Sequence, residues 1–249
     1  MVLVGGVGEL YQGDLDLGRR AVERLVNEPL GDHVLVEDLS YGAVAVGQRV
    51  EEVRPGMLIL VGAARRGRPP GTLERRRARP LAQSPAEARH AVAEAVSGYV
   101  SIDLVLEVAS ALGNLPRRTV VIEAEPASVE LGDRLSPELE AKLEQLLDLV
   151  RTDVRRAPLL DAADRVRQRL DGPRLERSPA VQAAARLVRE LERVDRDGEW
   201  GLAFTLRDVL RGRIAAGELG EAMDSLDWAL WWALIEELDR LENSERGAI

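Results

Sequence analysis

Residues 1–18 read MVLVGGVGELYQGDLDLG, and this stretch decides the fold. A short apolar strand, Val2 to Val4, runs into glycines at positions 5, 6 and 8. An acidic loop follows, and a helix begins near Leu17. Ligands of open α/β sheets usually bind at the carboxyl end of such a strand, so we expect the site of this protein in the loop. Its candidate site residues are the carboxylates Glu9, Asp14 and Asp16.

The glycines of this loop resemble a nucleotide-binding turn, but two neighbouring residues argue against one. The dinucleotide fingerprint G-x-G-x-x-G needs a third glycine for close helix–strand packing, and Tyr11 stands in that place. Glu9 sets a carboxylate where a pyrophosphate would approach the helix, and like charges repel. Taken alone, the stretch is equally well interpreted as a strand-to-helix turn without special chemistry.

The composition is that of an ordinary globular protein. Of 249 residues, 45% are hydrophobic and 31% are charged, which allows a buried core in one or two domains. The formal net charge of −9 argues against nucleic-acid binding. The chain has no cysteine, which excludes disulfides and thiolate chemistry. Without a membrane-length apolar run or a basic leader, we expect a cytoplasmic protein with no membrane contact.

Strand and helix patterns alternate over residues 1–125. Apolar runs at 33–38, 57–62 and 119–122 indicate further buried strands, and segments with helical spacing separate them. This alternation is the βαβ pattern of a parallel sheet. We therefore predict an α/β fold, a three-layer α/β/α arrangement with a mostly parallel five-stranded sheet.

The segment Arg65 to Pro80 carries seven arginines and one acidic residue, Glu74. Charged side chains on an edge strand prevent unwanted pairing with other sheets, and the arginines would then face solvent. Alternatively, the segment docks an acidic partner. The candidates for that contact are Arg75, Arg76 and Arg77.

From residue 157 on, the apolar pattern is helical only. It predicts an all-α C-terminal extension over 157–249, after an α/β domain over 1–156. Trp228, Trp231 and Trp232 lie at i, i+3 and i+4 of the last helix, so we expect them on one face. They either pack inside the extension or form an exposed anchor for another protein.

Three motifs follow one another along the chain. Gly6 to Gly18 follows the spacing G-x-G-N-x-x-x-x-D-D/E-x-x-G with Glu9 at the asparagine, Arg68 to Thr72 reads RPPGT, and Glu125 to Pro137 carries E-P-x-S-x-E-x-G and L-S-P. Over about residues 1–155 the chain thus resembles the hydrogenase maturation endopeptidases, which trim the carboxyl tail of [NiFe]-hydrogenase large subunits. The resemblance implies a large-subunit precursor as partner and a metal-directed cut near its carboxyl end.

The resemblance also implies three side chains that bind the nickel of the precursor, and this chain has replaced all three. The ligand positions fall on Leu15, Gly62 and Ser101, where the family carries an acidic residue, an aspartate and a histidine. The replacement favours a non-cleaving relative, a pseudo-protease that acts as an assembly chaperone or interaction scaffold. The sequence leaves open whether the chain is an enzyme, and it points to no catalytic residue.

Neighbouring residues offer two ways to rebuild a metal site. Glu9, Asp14 and Asp16, with Ser101 or Asp103, form an all-oxygen set that suits a hard cation better than nickel. His90 replaces the lost histidine if the loop before Ser101 folds back. Nickel recognition requires such a relocated site, and no other cofactor is predicted.

Other catalytic arrangements have little support. The chain has no G-x-S-x-G or H-E-x-x-H motif. Glu123 and Glu125 alternate along the last strand, so we expect their carboxylates to diverge rather than cooperate. A binding module without a hydrogenase partner and a nucleotide-binding protein are the remaining classes, and the oligomeric state is not predicted.

Overall fold

The computed structural model describes residues 1–96, 100–170, 179–197, 200–218 and 225–246; of residues 195–197, 225–228 and 245–246 it describes the backbone only. The chain divides into two compact units, Met1–Val154 and Arg155–Ile249. In the described part of the chain, no helix is both long enough and apolar enough to cross a membrane.

The first unit is built on a five-stranded sheet. Its strands are β1 (Val2–Gly6), β2 (Val34–Asp38), β3 (Met57–Ala63), β4 (Leu73–Ala78) and β5 (Arg118–Ala124), in the spatial order β2-β1-β3-β5-β4. The three pairs β1–β2, β1–β3 and β3–β5 are parallel, and β4 runs antiparallel to β5 at the edge. The predicted mostly parallel sheet is thereby confirmed.

Helices cover both faces of this sheet, as the α/β/α prediction requires. They are α1 (Leu17–Leu25), α2 (Ala43–Val53), α3 (Pro85–Ala95), α4 (Ile102–Ala111) and the start of α5 (Pro137–Leu170). Leu3, Leu58 and Leu60 pack with α2, α3 and α4 in one buried cluster. Successive side chains of a strand point to opposite faces. Gly6, of opposite parity to Leu3, accordingly faces Gly18 and Val22 of α1.

Gly18 lets α1 begin directly on the sheet. A Cβ atom at Gly18 would lie 2.3 Å from the carbonyl oxygen of Val7 and 2.4 Å from that of Val61. Because such distances are far below van der Waals contact, only glycine fits at this position. The glycine that closes the first motif is therefore required for packing, and it sets the helix against the carboxyl ends of β1 and β3.

The described residues of the second unit form helices, and they have their own core. The end of α5 is followed by α6 (Pro179–Asp197), α7 (Gly201–Ala215) and α8 (Ser225–Arg246). Its buried cluster includes Leu187, Leu191, Trp200 and Trp231. Trp232 is 40% exposed, and the side chain of Trp228 lies outside the described residues. Trp231 and Trp232 therefore do not share one environment, because neighbouring residues of a helix are about 100° apart.

Pro158 does not end a helix, although an interior proline usually breaks or kinks one. The structure has one helix over Pro137–Leu170 with Pro158 inside it. An interior proline costs about 3 kcal/mol because it removes a hydrogen bond and crowds the preceding turn. Leu159 and Leu160 are both buried, and burying a leucine contributes about 1.5–3 kcal/mol. Burial of these two side chains offsets the cost.

Candidate functional site

Asp14 of the first motif is bound to the third motif. Its buried Oδ2 accepts hydrogen bonds from the backbone N–H groups of Ala127 (2.7 Å) and Ser128 (2.9 Å) and from the hydroxyl of Ser136 (2.9 Å). Its Oδ1 accepts from the N–H of Ser136 (2.7 Å). These four donors use most of the acceptor capacity of a carboxylate. Asp14 therefore fastens two loops together.

Backbone hydrogen bonds extend this connection along the opening loop. The N–H of Gly132 donates to the carbonyl of Tyr11 (2.9 Å), and the N–H of Gly13 donates to the carbonyl of Gly132 (3.2 Å). Tyr11 has a φ of 62°, in the left-handed region, which costs a non-glycine residue roughly 1–2 kcal/mol. The loop thus holds Tyr11 in an unfavourable conformation with its side chain 60% exposed.

Glu125 binds the second motif to the third. Its buried carboxylate accepts from the N–H groups of Arg66 (2.9 and 3.0 Å) and Gly67 (3.1 Å) and from Nε of Arg68 (3.2 Å). The backbone of Glu125 also pairs with Gly71 and Thr72, at 2.9 Å in each direction. Burial raises the pKa of Glu125, but these hydrogen bonds outweigh it and leave the pKa below its ordinary value. Glu125 is therefore a structural carboxylate.

Glu123 is the centre of an ion-pair network at the end of β5. Its side chain is buried and accepts from Nε and Nη2 of Arg66 (2.9 Å each) and from Nη2 of Arg68 (3.0 Å). Arg66 also forms a two-pronged pair with Asp103 (2.7 and 2.9 Å). Burial raises the pKa of Glu123, but the arginine hydrogen bonds and charges outweigh it, so the pKa is lowered.

This network corrects one expectation from the sequence. Glu123 and Glu125 were expected to diverge, but Arg68 binds both carboxylates. Side chains two residues apart in an extended chain point to the same side, so the expected divergence was wrong. Glu125 directly follows the end of β5 at Ala124, and its carboxylate lies within reach of the same arginine as Glu123.

A cavity of about 340 Å³ lies at the carboxyl ends of β1 and β3, where the sequence predicts the site. Its lining combines the first motif, the segment after β3 and the start of α4. The charged residues of the lining are Glu9, Arg65 and Asp103, and its neutral residues include Val7, Gly8, Leu15, Ala63, Ala64, Val100, Ser101 and Ile102.

The three positions to which the resemblance assigns nickel ligands lie in or next to this cavity. Leu15 lines it with an apolar side chain. The hydroxyl of Ser101 accepts from the N–H of Leu104 (3.1 Å), so it caps α4. At Gly62 a Cβ atom would lie 2.5 Å from the carbonyl oxygen of Val7, so no side chain fits there. These residues do not fit a nickel ion.

The carboxylates proposed for a relocated metal site are separated by their partners. Asp14 is used by the third motif, and Asp16 is buried in an ion pair with Arg19, whose Nε lies 2.8 Å from Oδ1. Only Glu9 of the three lines the cavity. His90 lies on α3 with its side chain 82% exposed, and its nearest acid is Glu94 at 4.0 Å. Within the described ranges, no group of three or more acidic or histidine side chains is arranged to hold a metal.

Glu9 and Arg65 both line the cavity and interact electrostatically, which the sequence alone does not predict. Burial raises the pKa of Glu9, and the positive charge of Arg65 opposes that rise. Arg65 is exposed, and it makes no hydrogen bond or ion pair within the described part of the chain. The high arginine content of its segment was the only sequence signal for this residue.

The arginines of β4 are bound within the first unit. Arg75 pairs with the buried Asp153 through contacts of 2.6 to 3.0 Å. Arg76 lies 3.6 Å from both Asp103 and Glu123, and Arg77 is partly buried and also has a partner. These side chains are therefore not solvated as an edge strand was expected to be. An acidic partner would have to compete with carboxylates of the first unit for them.

Comparisons with known proteins give structural neighbours only. No family model and no curated protein matches the chain. Several of its structural neighbours are solved hydrogenase maturation peptidases or proteases. The hydrogenase 2 maturation peptidase from Thaumarchaeota archaeon SCGC_AB-539-E09 is 26% identical, with a TM-score of 0.44, and the match covers 61% of this chain and 97% of that one. The endopeptidase HybD from E. coli is 24% identical, with a TM-score of 0.48, and the match covers 63% of this chain and 93% of that one.

A third neighbour is the [NiFe] hydrogenase maturation protease HycI from Thermococcus kodakarensis. It is 19% identical, with a TM-score of 0.45, and the match covers 61% of this chain and 91% of that one.

Proposed function

We propose that residues 1–155 form a hydrogenase-maturation-endopeptidase-like domain that binds the carboxyl-terminal region of a [NiFe]-hydrogenase large-subunit precursor without cutting it. The observation that carries this proposal is the cavity at the ends of β1 and β3. It has the position of a substrate site, but Leu15 and the helix cap Ser101 stand at ligand positions, and Gly62 has no room for a side chain.

The pattern of retained and replaced motif residues supports this function. Asp14, Glu125 and Gly18 are retained, and each of them fixes loops or packs a helix on the sheet. The replaced residues are those to which the resemblance assigns contact with the nickel of the precursor. A chain that keeps the architecture of the site and lacks its metal chemistry is suited to binding.

The chemistry of the cavity supports the same conclusion. Peptide hydrolysis needs an activated water or a nucleophile with an adjacent base. The acids of the cavity are Glu9 and Asp103, and Asp103 is bound to Arg66. The hydroxyl of Ser101 caps α4, and among the described residues of the lining Glu9 has no histidine or other hydroxyl beside it. The role of the domain is then that of an assembly chaperone or scaffold in the cytoplasm.

The proposal is tested by recovering the precursor from cells. The full chain, affinity-tagged, is purified from its source organism, and the intact masses of co-purifying proteins are measured. We expect a [NiFe]-hydrogenase large subunit that still carries its carboxyl-terminal extension. In a deletion strain, the large subunit that is made should still be trimmed at the normal position. Precursor that accumulates untrimmed in that strain would identify the chain as the protease, and a purification without any large subunit would remove the hydrogenase partner.

A further inference from the structure

The connected loops of the first and third motifs carry three exposed apolar residues. Leu10 is 54% exposed and Tyr11 60% exposed, and both directly follow Glu9, which lines the cavity. Leu131 is 85% exposed, and it precedes Gly132, whose N–H group binds the carbonyl of Tyr11. These three side chains, Leu10, Tyr11 and Leu131, are called the rim patch below. Large apolar side chains exposed on connected loops next to a cavity-lining residue are typical of interaction sites.

The backbone of the rim patch is conformationally strained at Tyr11. Tyr11 has a positive φ, and the backbone hydrogen bonds of Tyr11, Gly13 and Asp14 to the third motif fix the backbone around it. Strained residues in surface loops occur mainly where function needs their position. The loop therefore presents Tyr11 rigidly, which lowers the entropy lost when a partner binds.

The cavity next to this patch is lined by a cation, Arg65, for which the described residues provide no ion pair. The arginines Arg66, Arg68, Arg75 and Arg76 bind carboxylates of the first unit, whereas Arg65 makes no such contact within the described ranges. Glu9 is the acid that acts on Arg65 electrostatically, and its own burial favours the neutral form. An anionic group in the cavity would therefore meet an available guanidinium.

Resting on the proposed function, we infer that the cavity recognises an acidic side chain of the partner, and that Arg65 takes over the anchoring that metal provides in the family. The occupant is an extended segment that lays apolar residues on the rim patch and directs an aspartate or glutamate carboxylate to Arg65. A volume of about 340 Å³ lies at the lower end of ligand pockets, about 300–1,000 Å³, and suits side chains rather than a folded terminus.

The test uses a peptide library with seven random positions and amidated carboxyl ends, selected on the immobilised full chain. We expect enrichment of peptides that combine an aspartate or glutamate with neighbouring apolar residues. The enriched acidic peptide is then measured by fluorescence anisotropy against a copy with asparagine or glutamine in place of the acid. Enrichment without acids, or equal affinity of the two copies, would overturn the inference. So would full recovery of affinity when the neutral copy is given a free carboxyl terminus.

Variants of the chain assign the contacts. Arg65→Gln should weaken the acidic peptide about fivefold, as expected for a partly exposed ion pair, and Arg65→Lys should keep most of the affinity. Arg89→Gln is the matched control, because Arg89 is an exposed arginine of α3 without a partner among the described residues. Equal binding by Arg65→Gln and Arg89→Gln would refute the role of Arg65.

Two further variants test the surroundings of Arg65. Glu9→Gln should strengthen binding, because it removes the carboxylate that competes for the guanidinium. Leu131→Ser should weaken it severalfold, while Val96→Ser, at a 78% exposed valine that ends α3, should leave it unchanged. Raising the salt concentration from 0.1 to 1 M should reduce the difference in peptide affinity between the unsubstituted chain and Arg65→Gln, since the Debye length falls from about 10 to 3 Å.

The outcome separates this inference from the proposed function. A large subunit that is recovered equally well by the chain and by Arg65→Gln leaves the proposed function standing and removes the inference. Selection of acidic, apolar peptides that depends on Arg65, with no large subunit recovered from cells, supports the inference and removes the hydrogenase partner.

Discussion

Replacing Asp14 by asparagine tests whether the retained motifs hold the loops of the site together. The substitution keeps the size of the side chain and removes its charge. In the structure, Asp14 accepts from the N–H groups of Ala127, Ser128 and Ser136 and from the hydroxyl of Ser136. An asparagine oxygen in the place of Oδ2 keeps three of these bonds in weaker form, and its amide group then opposes the N–H of Ser136.

The expected loss follows from these four bonds. A hydrogen bond to a charged group contributes about 1.5–3 kcal/mol, against about 1 kcal/mol for a neutral pair. Three bonds each weakened by about 1 kcal/mol and one lost bond of about 2 kcal/mol give roughly 5 kcal/mol at most. Relaxation of the loop reduces this figure, so we expect about 3–4 kcal/mol, a large share of the 5–15 kcal/mol that stabilises typical domains.

Hydrogen exchange read by mass spectrometry is the assay, because it reports the loops directly in the full chain. Asp14→Asn should lower the protection of amides over residues 9–14 and 126–136. Asp32→Asn is the control, since Asp32 is an exposed aspartate without a side-chain partner in the described part of the chain. A loss below about 1 kcal/mol, or equal effects of the two variants, would refute the structural role assigned to Asp14.

Three further substitutions test the energetics of the site by chemical denaturation. Glu123→Gln should cost about 2–4 kcal/mol at pH 7; because the pKa of Glu123 is lowered, the difference should shrink as the pH falls below 4.5. Glu9→Gln should do the opposite: the raised pKa of Glu9 means that its charge destabilises the fold above pH 4.5, so the variant is more stable at pH 7 and equal at lower pH. Gly62→Ala should cost about 1–3 kcal/mol because of the contact with Val7, whereas Gly132→Ala, with its nearest atom at 4.0 Å, should change stability by less than about 0.5 kcal/mol.

The sheet could be predicted because its signals are local. The apolar runs that form β1, β3 and β5 are continuous, and parallel strands buried on both faces require this composition. The loop after β1 was predicted as the site for the same reason, since the carboxyl ends of such strands meet at one edge. The cavity lies there.

The ion pairs could not be predicted because they join distant parts of the chain. Arg66 is 57 residues from Glu123, and Arg75 is 78 residues from Asp153. The arginine-rich segment therefore looked like a solvated edge, although most of its compensating acids lie on other elements, namely Asp103 on α4, Glu123 and Glu125 at the end of β5, and Asp153 on α5. Only the fold brings these charges together, and only the fold leaves Arg65 without an ion-pair partner in the described part of the chain.

Other differences come from packing. A proline in an apolar pattern normally marks a helix end, but burial of Leu159 and Leu160 keeps α5 continuous. The loss of the aspartate at Gly62 looked like the loss of a ligand alone. In the structure the backbone of Val7 occupies the space that any side chain there would need. The sequence shows which residue is replaced, but not whether its space remains.

The most direct test of the central claim is to incubate the purified full chain with a purified large-subunit precursor and follow both by size-exclusion chromatography and intact-mass spectrometry. The account predicts a complex in which the mass of the precursor stays unchanged over hours, with or without added Ni²⁺. A precursor that becomes shorter at its carboxyl end, and does so only when the chain is present, would contradict it.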